Sequence, residues 1–127
     1  MPTKYTLDLP HRLVRTHSWG VLSDQDVRDL YRDIRADPAF EPFFQQLCDL
    51  RQVTRITATV DTLRYLAQSR IFAAGARRAF VVDREVDFGM SRLFSAYSEV
   101  EGAVIEVFRN WEEAEEWLGL RVRSHQG

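Results

Sequence analysis

Arg78-Ala79-Phe80-Val81-Val82 is the stretch on which the fold turns. After its first residue it is apolar throughout, whereas a strand with one wet face would alternate. An unbroken run of this kind suits a central strand covered on both faces, and such strands belong to parallel sheets. On its N-terminal side, Val60, Leu63, Leu66, Ala67, Ile71 and Ala74 fall on one helical stripe. That spacing predicts a helix from near Thr59 to Gly75, with the glycine as C-terminal cap. On the other side, Asp83 to Asp87 reads as a charged loop. Phe88 to Val100 then reads as a helix presenting Met90, Leu93, Phe94, Tyr97 and Val100 inward, ended by Glu101-Gly102. Helix, buried strand, helix is the pattern of an α/β sheet.

Outward from this centre the pattern continues. Lys4 to Leu9 alternates Tyr5, Leu7 and Leu9 against polar neighbours, Pro10-His11 interrupts, and Arg12 to Leu22 alternates again. Two such runs with a short connection predict an antiparallel hairpin. Ser23-Asp24-Gln25-Asp26 is an N-cap with an acidic first turn, opening a helix to about Ala36 along Val27, Leu30, Tyr31 and Ile34. Pro38 closes it. Gln46 to Leu50 gives a short third strand and Ala103 to Phe108 a fifth. Asn110-Trp111-Glu112-Glu113 has reciprocal capping-box spacing before a short last helix. The fold class is therefore α/β: a five-stranded mixed sheet with four helices and right-handed crossovers, its first strand antiparallel to its second. Val81, Leu93, Phe94, Val107 and Leu118 are the expected core. One domain spans 1–120, and 121–127 reads as a polar tail.

Composition bounds the function. A chain of 127 residues, 45% hydrophobic and 28% charged, fits one ordinary globular domain. No apolar run approaches the roughly 18–20 residues that span a bilayer, and the N-terminus has no signal-peptide pattern. The single cysteine, Cys48, cannot form an internal disulfide, so a cytoplasmic location is expected. A net charge of −2, with arginines spread along the chain, gives no case for nucleic acid.

Motifs for catalysis are lacking in the sequence. His11, His17 and His125 have no partners at metal-ligand spacing. The glycines are scattered singly rather than gathered into a phosphate loop. Cys48 falls inside a strand with no activating neighbour. Glu112, Glu113, Glu115 and Glu116 suit a helix start and its solvent side, while Trp111 and Trp117 are spaced to pack on the sheet. No metal, cofactor or catalytic residue is expected.

Two connections remain as a candidate site, 48–59 after the third strand and 83–92 after the fourth. In an open parallel sheet such loops lie side by side at the carboxyl ends of the strands, where ligands bind. Asp49, Arg51, Thr57, Thr59, Asp83, Ser91 and Arg92 would meet there. Two helix starts and two arginines favour an anionic group, and Thr57 or Thr59 could take a phosphate. The same residues also suit local duties: threonines cap helices, aspartates end strands, and loop arginines are solvated.

The run Leu47-Cys48-Asp49-Leu50-Arg51-Gln52-Val53-Thr54-Arg55-Ile56, followed by Thr57-Ala58-Thr59 and a helix, resembles the STAS or SpoIIAA-like family of anti-sigma-factor antagonists. The segments 78–82, 88–92 and 107–119 look like a bacterial branch of that family, so the resemblance covers about residues 4–119. It implies strand–helix units winding as a right-handed superhelix, with the first strand antiparallel at one edge, and a non-enzymatic regulatory role. The family's Asp-Ser-Ser-Gly pattern at the phosphorylated helix start stands here as Thr57-Ala58-Thr59-Val60, with no serine in the phospho-acceptor position. The fold group also resembles CRAL-TRIO lipid-transfer domains, whose lid and deep pocket this chain is too short to supply.

The expected function is a non-catalytic regulatory or protein-interaction module. The alternative is a small-ligand sensor for an anion or lipid head group at the two loops. A protein partner or homodimer is expected on an apolar patch formed by Trp19, Leu13 and Tyr5.

Overall fold

Alternation along Thr3–Asp8 (β1) and Leu13–Leu22 (β2) produces the expected antiparallel hairpin, with Leu7 opposite Val14. The computed structural model describes residues 2–121, with the side chains of 86–88 left aside. Most of the expected tail therefore lies outside the described residues. Ser23 caps Asp24–Ala36 (α1) with a complete capping box: its hydroxyl accepts the Asp26 N–H, and the Asp26 carboxylate accepts the Ser23 N–H. The chain continues through Gln45–Ile56 (β3), Val60–Ser69 (α2), Arg77–Val81 (β4), Glu85–Glu99 (α3), Val104–Phe108 (β5) and Trp111–Trp117 (α4). Strand order is β1-β2-β3-β4-β5, parallel from β2 onward.

A monotonic strand order with one hand of crossover puts every crossover helix on the same face. Helices α1, α2 and α3 accordingly share one core with Val14, Cys48, Leu50, Phe80 and Ile105. Among the described residues the other face is covered by α4 alone, which seals Leu13, Leu47, Ala79 and Val81 beneath Ala114 and its C-cap Leu118, with Trp111 and Trp117 packed beside them. Of the expected core, Val81, Phe94 and Leu118 are buried, and Leu93 and Val107 are half-buried.

Three boundaries differ from the sequence expectation. Strand β3 runs on to Ile56 because its second half pairs with β2 alone, Trp19 against Gln52 and Leu22 against Ile56, while β4 reaches only Gln46 to Asp49. A strand with one neighbour and a wet face carries polar residues and so resembles a loop. Helix α2 stops at Ser69, where Arg70 takes the left-handed conformation (φ 50°). The chain then buries Phe72 against Phe40, ring centres 5.3 Å apart, and bonds Ala73 N–H to Pro42 C=O at 2.7 Å. Gly75 is thus a turn before β4 rather than a helix cap. Helix α3 begins at Glu85, so most of the expected Asp83–Asp87 loop is helix. At α4 only half of the expected capping box forms, Glu113 N–H donating to Asn110.

The expected apolar patch does not exist as such. Tyr5 packs against the α1 side, its hydroxyl donating to Asp37 at 2.8 Å, and Leu13 lies 0% exposed beneath α4. Only Trp19 is open, at 37%. Leu13→Ala should consequently cost about 2–5 kcal/mol, the range for truncating a buried leucine. Urea denaturation measures this, and a loss below about 0.5 kcal/mol, as expected of a surface residue, would show that α4 does not hold the second core.

Candidate functional site

The seven residues expected to form one site are distributed over four places. Asp49 and Arg51 lie within β3 on the α4 face, not in a loop. The Arg51 guanidinium grips the Asp49 carboxylate with Nε at 2.9 Å and Nη2 at 3.0 Å, and stacks 4.4 Å from the Trp111 ring. Burial pushes the Asp49 carboxyl up, but its hydrogen bonds from Arg51 outweigh that and hold it below its ordinary value. Asp83 is exposed and contributes to the negative field around Arg51. The pair neutralises itself.

Thr57 and Thr59 stand at the turn into α2, where both of their N–H groups are already engaged. The start of α2 is already occupied by a carboxylate from α1. Asp24 accepts the Thr59 N–H at 2.6 Å and the Thr59 hydroxyl at 3.2 Å, while Thr59 caps Thr62 N–H. Thr57 is bonded through its N–H to Leu22 C=O at 2.9 Å. An anion or a phosphate at Thr59 would have to displace Asp24 against charge repulsion. Arg92 is exposed on α3, whereas Ser91, one residue earlier, is only 4% exposed and faces the interior.

Ser91 leads to the arrangement that the sequence reading missed. Between α1, α2, α3 and the sheet lies a partly open cavity of about 60 Å³, several times the roughly 10–15 Å³ that one water needs. Its wall is almost entirely apolar, drawn from Leu22, Leu50, Leu63, Leu66, Phe80 and Phe94, with Ser18, Tyr31, Cys48 and Ser91 as its polar members. Burial pushes the Cys48 thiol up to about 11, so scarcely any thiolate exists at neutral pH. Burial likewise raises the Tyr31 phenol, against the pull of Arg78; it stays protonated.

Against one wall of the cavity sits a buried polar cluster with one member from each of four elements. Gln46 of β3, 0% exposed, donates to Thr16 of β2 and to the Tyr31 hydroxyl of α1, both at 3.2 Å. Arg78 of β4 donates to Gln46 Oε1 at 2.9 Å and to the Tyr31 hydroxyl at 3.3 Å. A signal for this was present in the sequence. Gln46 alternates with Cys48 and Leu50, and Arg78 with Phe80 and Val82, so both occupy the inward phase of core strands.

On the opposite face, uncovered by α4, a second cleft of about 170 Å³ is bounded by Lys4, Thr6, Arg15, His17, Asp49 and Trp111. His17 Nε2 lies 2.8 Å from Gln52 Oε1, and its ring meets Trp19 edge-on at 5.4 Å. Among the described residues no group of His, Cys, Asp and Glu is placed to hold a metal ion, and no helix is long and apolar enough to cross a membrane.

A crystal structure of an uncharacterised DUF3478-family protein from Shewanella loihica, described as SpoIIAA-like, matches this arrangement with a TM-score of 0.58 over 84% of this chain and 83% of that one. The chain has a SpoIIAA-like fold. Sequence identity in the match is 17%, so the likeness concerns the fold alone. No protein-family model matches the chain, and no curated protein matches it.

The Asp24 contact has a pH signature. Chiefly the Thr59 N–H, against a smaller opposing effect of burial, holds the Asp24 carboxyl below its ordinary value. A depressed folded-state pKa stabilises the fold above the unfolded value, about 3.9, and that contribution is lost as pH falls through the folded value. Asp24→Ala should lower the urea midpoint at pH 7, and the gap from wild type should narrow below about pH 4. A gap equal at pH 7 and pH 3 would remove the charge from the explanation.

Proposed function

We propose that this protein is a non-catalytic regulatory module whose input is a small ligand held between its three crossover helices and the sheet. The observation that carries this reading is the apolar cavity, which is partly open and has a polar cluster at one wall. Native cores close to crystal-like density, and an apolar space of this size forfeits packing that a ligand restores. The α3 wall suits entry. Its N-cap, Arg84, makes no side-chain capping bond, and Gly89 sits in its first turns, where a glycine costs about 1 kcal/mol relative to alanine. Local opening there costs less than at the boxed start of α1. The chemistry of the wall supports binding rather than reaction, since Cys48 is a thiol and Tyr31 a phenol at neutral pH.

The protein-interaction reading rests on a different observation, the cleft beside Trp111 with Trp19 exposed near it. A second copy seated there would appear as a dimer in sedimentation, lost in Trp19→Ser; a monomer at high concentration counts against it.

The cavity reading is tested by native mass spectrometry of freshly purified protein together with Ser91→Leu, which fills the space from α3. We expect a bound small molecule on wild type that is absent from Ser91→Leu. Saturating the wild type to 100 times Kd should also add about 2.7 kcal/mol to its stability. Wild type at its bare chain mass, with a melting temperature unmoved by apolar probes, would overturn the reading.

A further inference from the structure

Arg78 is a buried cation whose neighbours are neutral. Its residue is 7% exposed, and its two hydrogen bonds go to an amide oxygen and a phenol. Among the described residues no carboxylate pairs with it. Four aromatic rings surround the guanidinium, Phe72 at 4.4 Å, Phe94 at 5.5 Å, and Phe80 and Tyr31 each at 5.8 Å. Ring faces compensate a buried charge in part, but a charge withdrawn from water ordinarily keeps a counter-charge.

The hydrogen-bond inventory of the cluster points the same way. A guanidinium carries five N–H donors and a glutamine amide two, while the acceptors among them are one amide oxygen and two hydroxyls. The Tyr31 hydroxyl already accepts from both Gln46 and Arg78, which leaves its own proton to be donated elsewhere. The cluster is rich in donors and positive charge. What it lacks is an acceptor with negative charge.

The cluster and the cavity share a wall. Tyr31, Phe80 and Phe94 are ring neighbours of the Arg78 guanidinium and also line the cavity. We infer that the ligand of this cavity is a monoanionic amphiphile with a carboxylate head. The head pairs with Arg78 and accepts the Tyr31 proton, and a short alkyl chain of a few carbons occupies the apolar space along Leu22, Leu50, Leu63 and Leu66. This rests on the proposal that the cavity binds a ligand, and it names that ligand's chemical class. Charge complementarity selects acid over alcohol, and the apolar wall selects a chain over a free inorganic anion.

Butanoic acid, 1-butanol and butylamine, whose short chains suit a space of about 60 Å³, titrated into the full chain at pH 7 and followed by thermal shift and calorimetry, separate the possibilities. The acid is expected to bind at least ten times more tightly than the alcohol, and the amine least. Arg78→Met should reduce the acid to the level of the alcohol while leaving alcohol binding intact, and Tyr31→Phe should narrow the acid's advantage. Equal binding of acid and alcohol by wild type overturns the anionic class and leaves the cavity reading standing, with Arg78 solvated by its aromatic box alone. Tighter binding of the amine overturns it too. If none of the three binds, the cavity reading falls and this inference with it. Should Arg78→Met not fold, the wild-type comparison and Tyr31→Phe still decide.

Discussion

The constraint that the rest of the structure obeys is the repeated crossover of one hand along a monotonic strand order. It sends α1, α2 and α3 to one face and leaves the other to a helix of seven residues. The two faces therefore differ in depth. Three helices build a layer thick enough to enclose a cavity and a buried polar cluster, whereas α4 shields only the strip from Leu13 to Val81 and leaves the hairpin's outer side wet.

The polar cluster binds this layering to a single register. Gln46 and Arg78 are Cα partners across β3 and β4, and each points toward the helices. A slip of one residue would turn both toward α4 and bring Leu47 or Ala79 inward, exposing a cation to the small second core. Tyr31 then ties the same pair to α1. Such a cluster contributes little to stability, because the desolvation of Arg78 offsets much of what its contacts supply. Its effect is on which packing is chosen.

The hydrogen bond from Thr59 to Asp24 connects residues 35 apart and joins two helix starts that lie side by side in the layer. One acid serves as part of the first turn of α1 and as the anion at the mouth of α2. At the α2 start, a place where a parallel α/β fold commonly receives an anion, the chain supplies its own carboxylate.

Much of this was legible in the residues. The apolar run at β4, the stripes of α1 and α3, the Ser23 cap and the alternation of the hairpin are local patterns, and local patterns report element type because period and capping act over a few residues. They determined five strands, four helices and their order. Tertiary structure alone decided how far β3 extends, since pairing with β2 makes a strand of residues whose own pattern is polar. It also decided where α2 ends, since burial of Phe72 outweighs the stripe through Ala74. The residues of the candidate site are spread apart for the same kind of reason. Asp49 and Arg51 are near in sequence to Thr57 and Thr59, but a strand keeps them on different sides of the sheet, and Asp24 reaches Thr59 from another element. Arg78 and Gln46 could be placed on the inward phase by counting. That they meet each other, Tyr31 and a cavity depends on register and helix packing, which long-range contacts fix and sequence spacing does not encode.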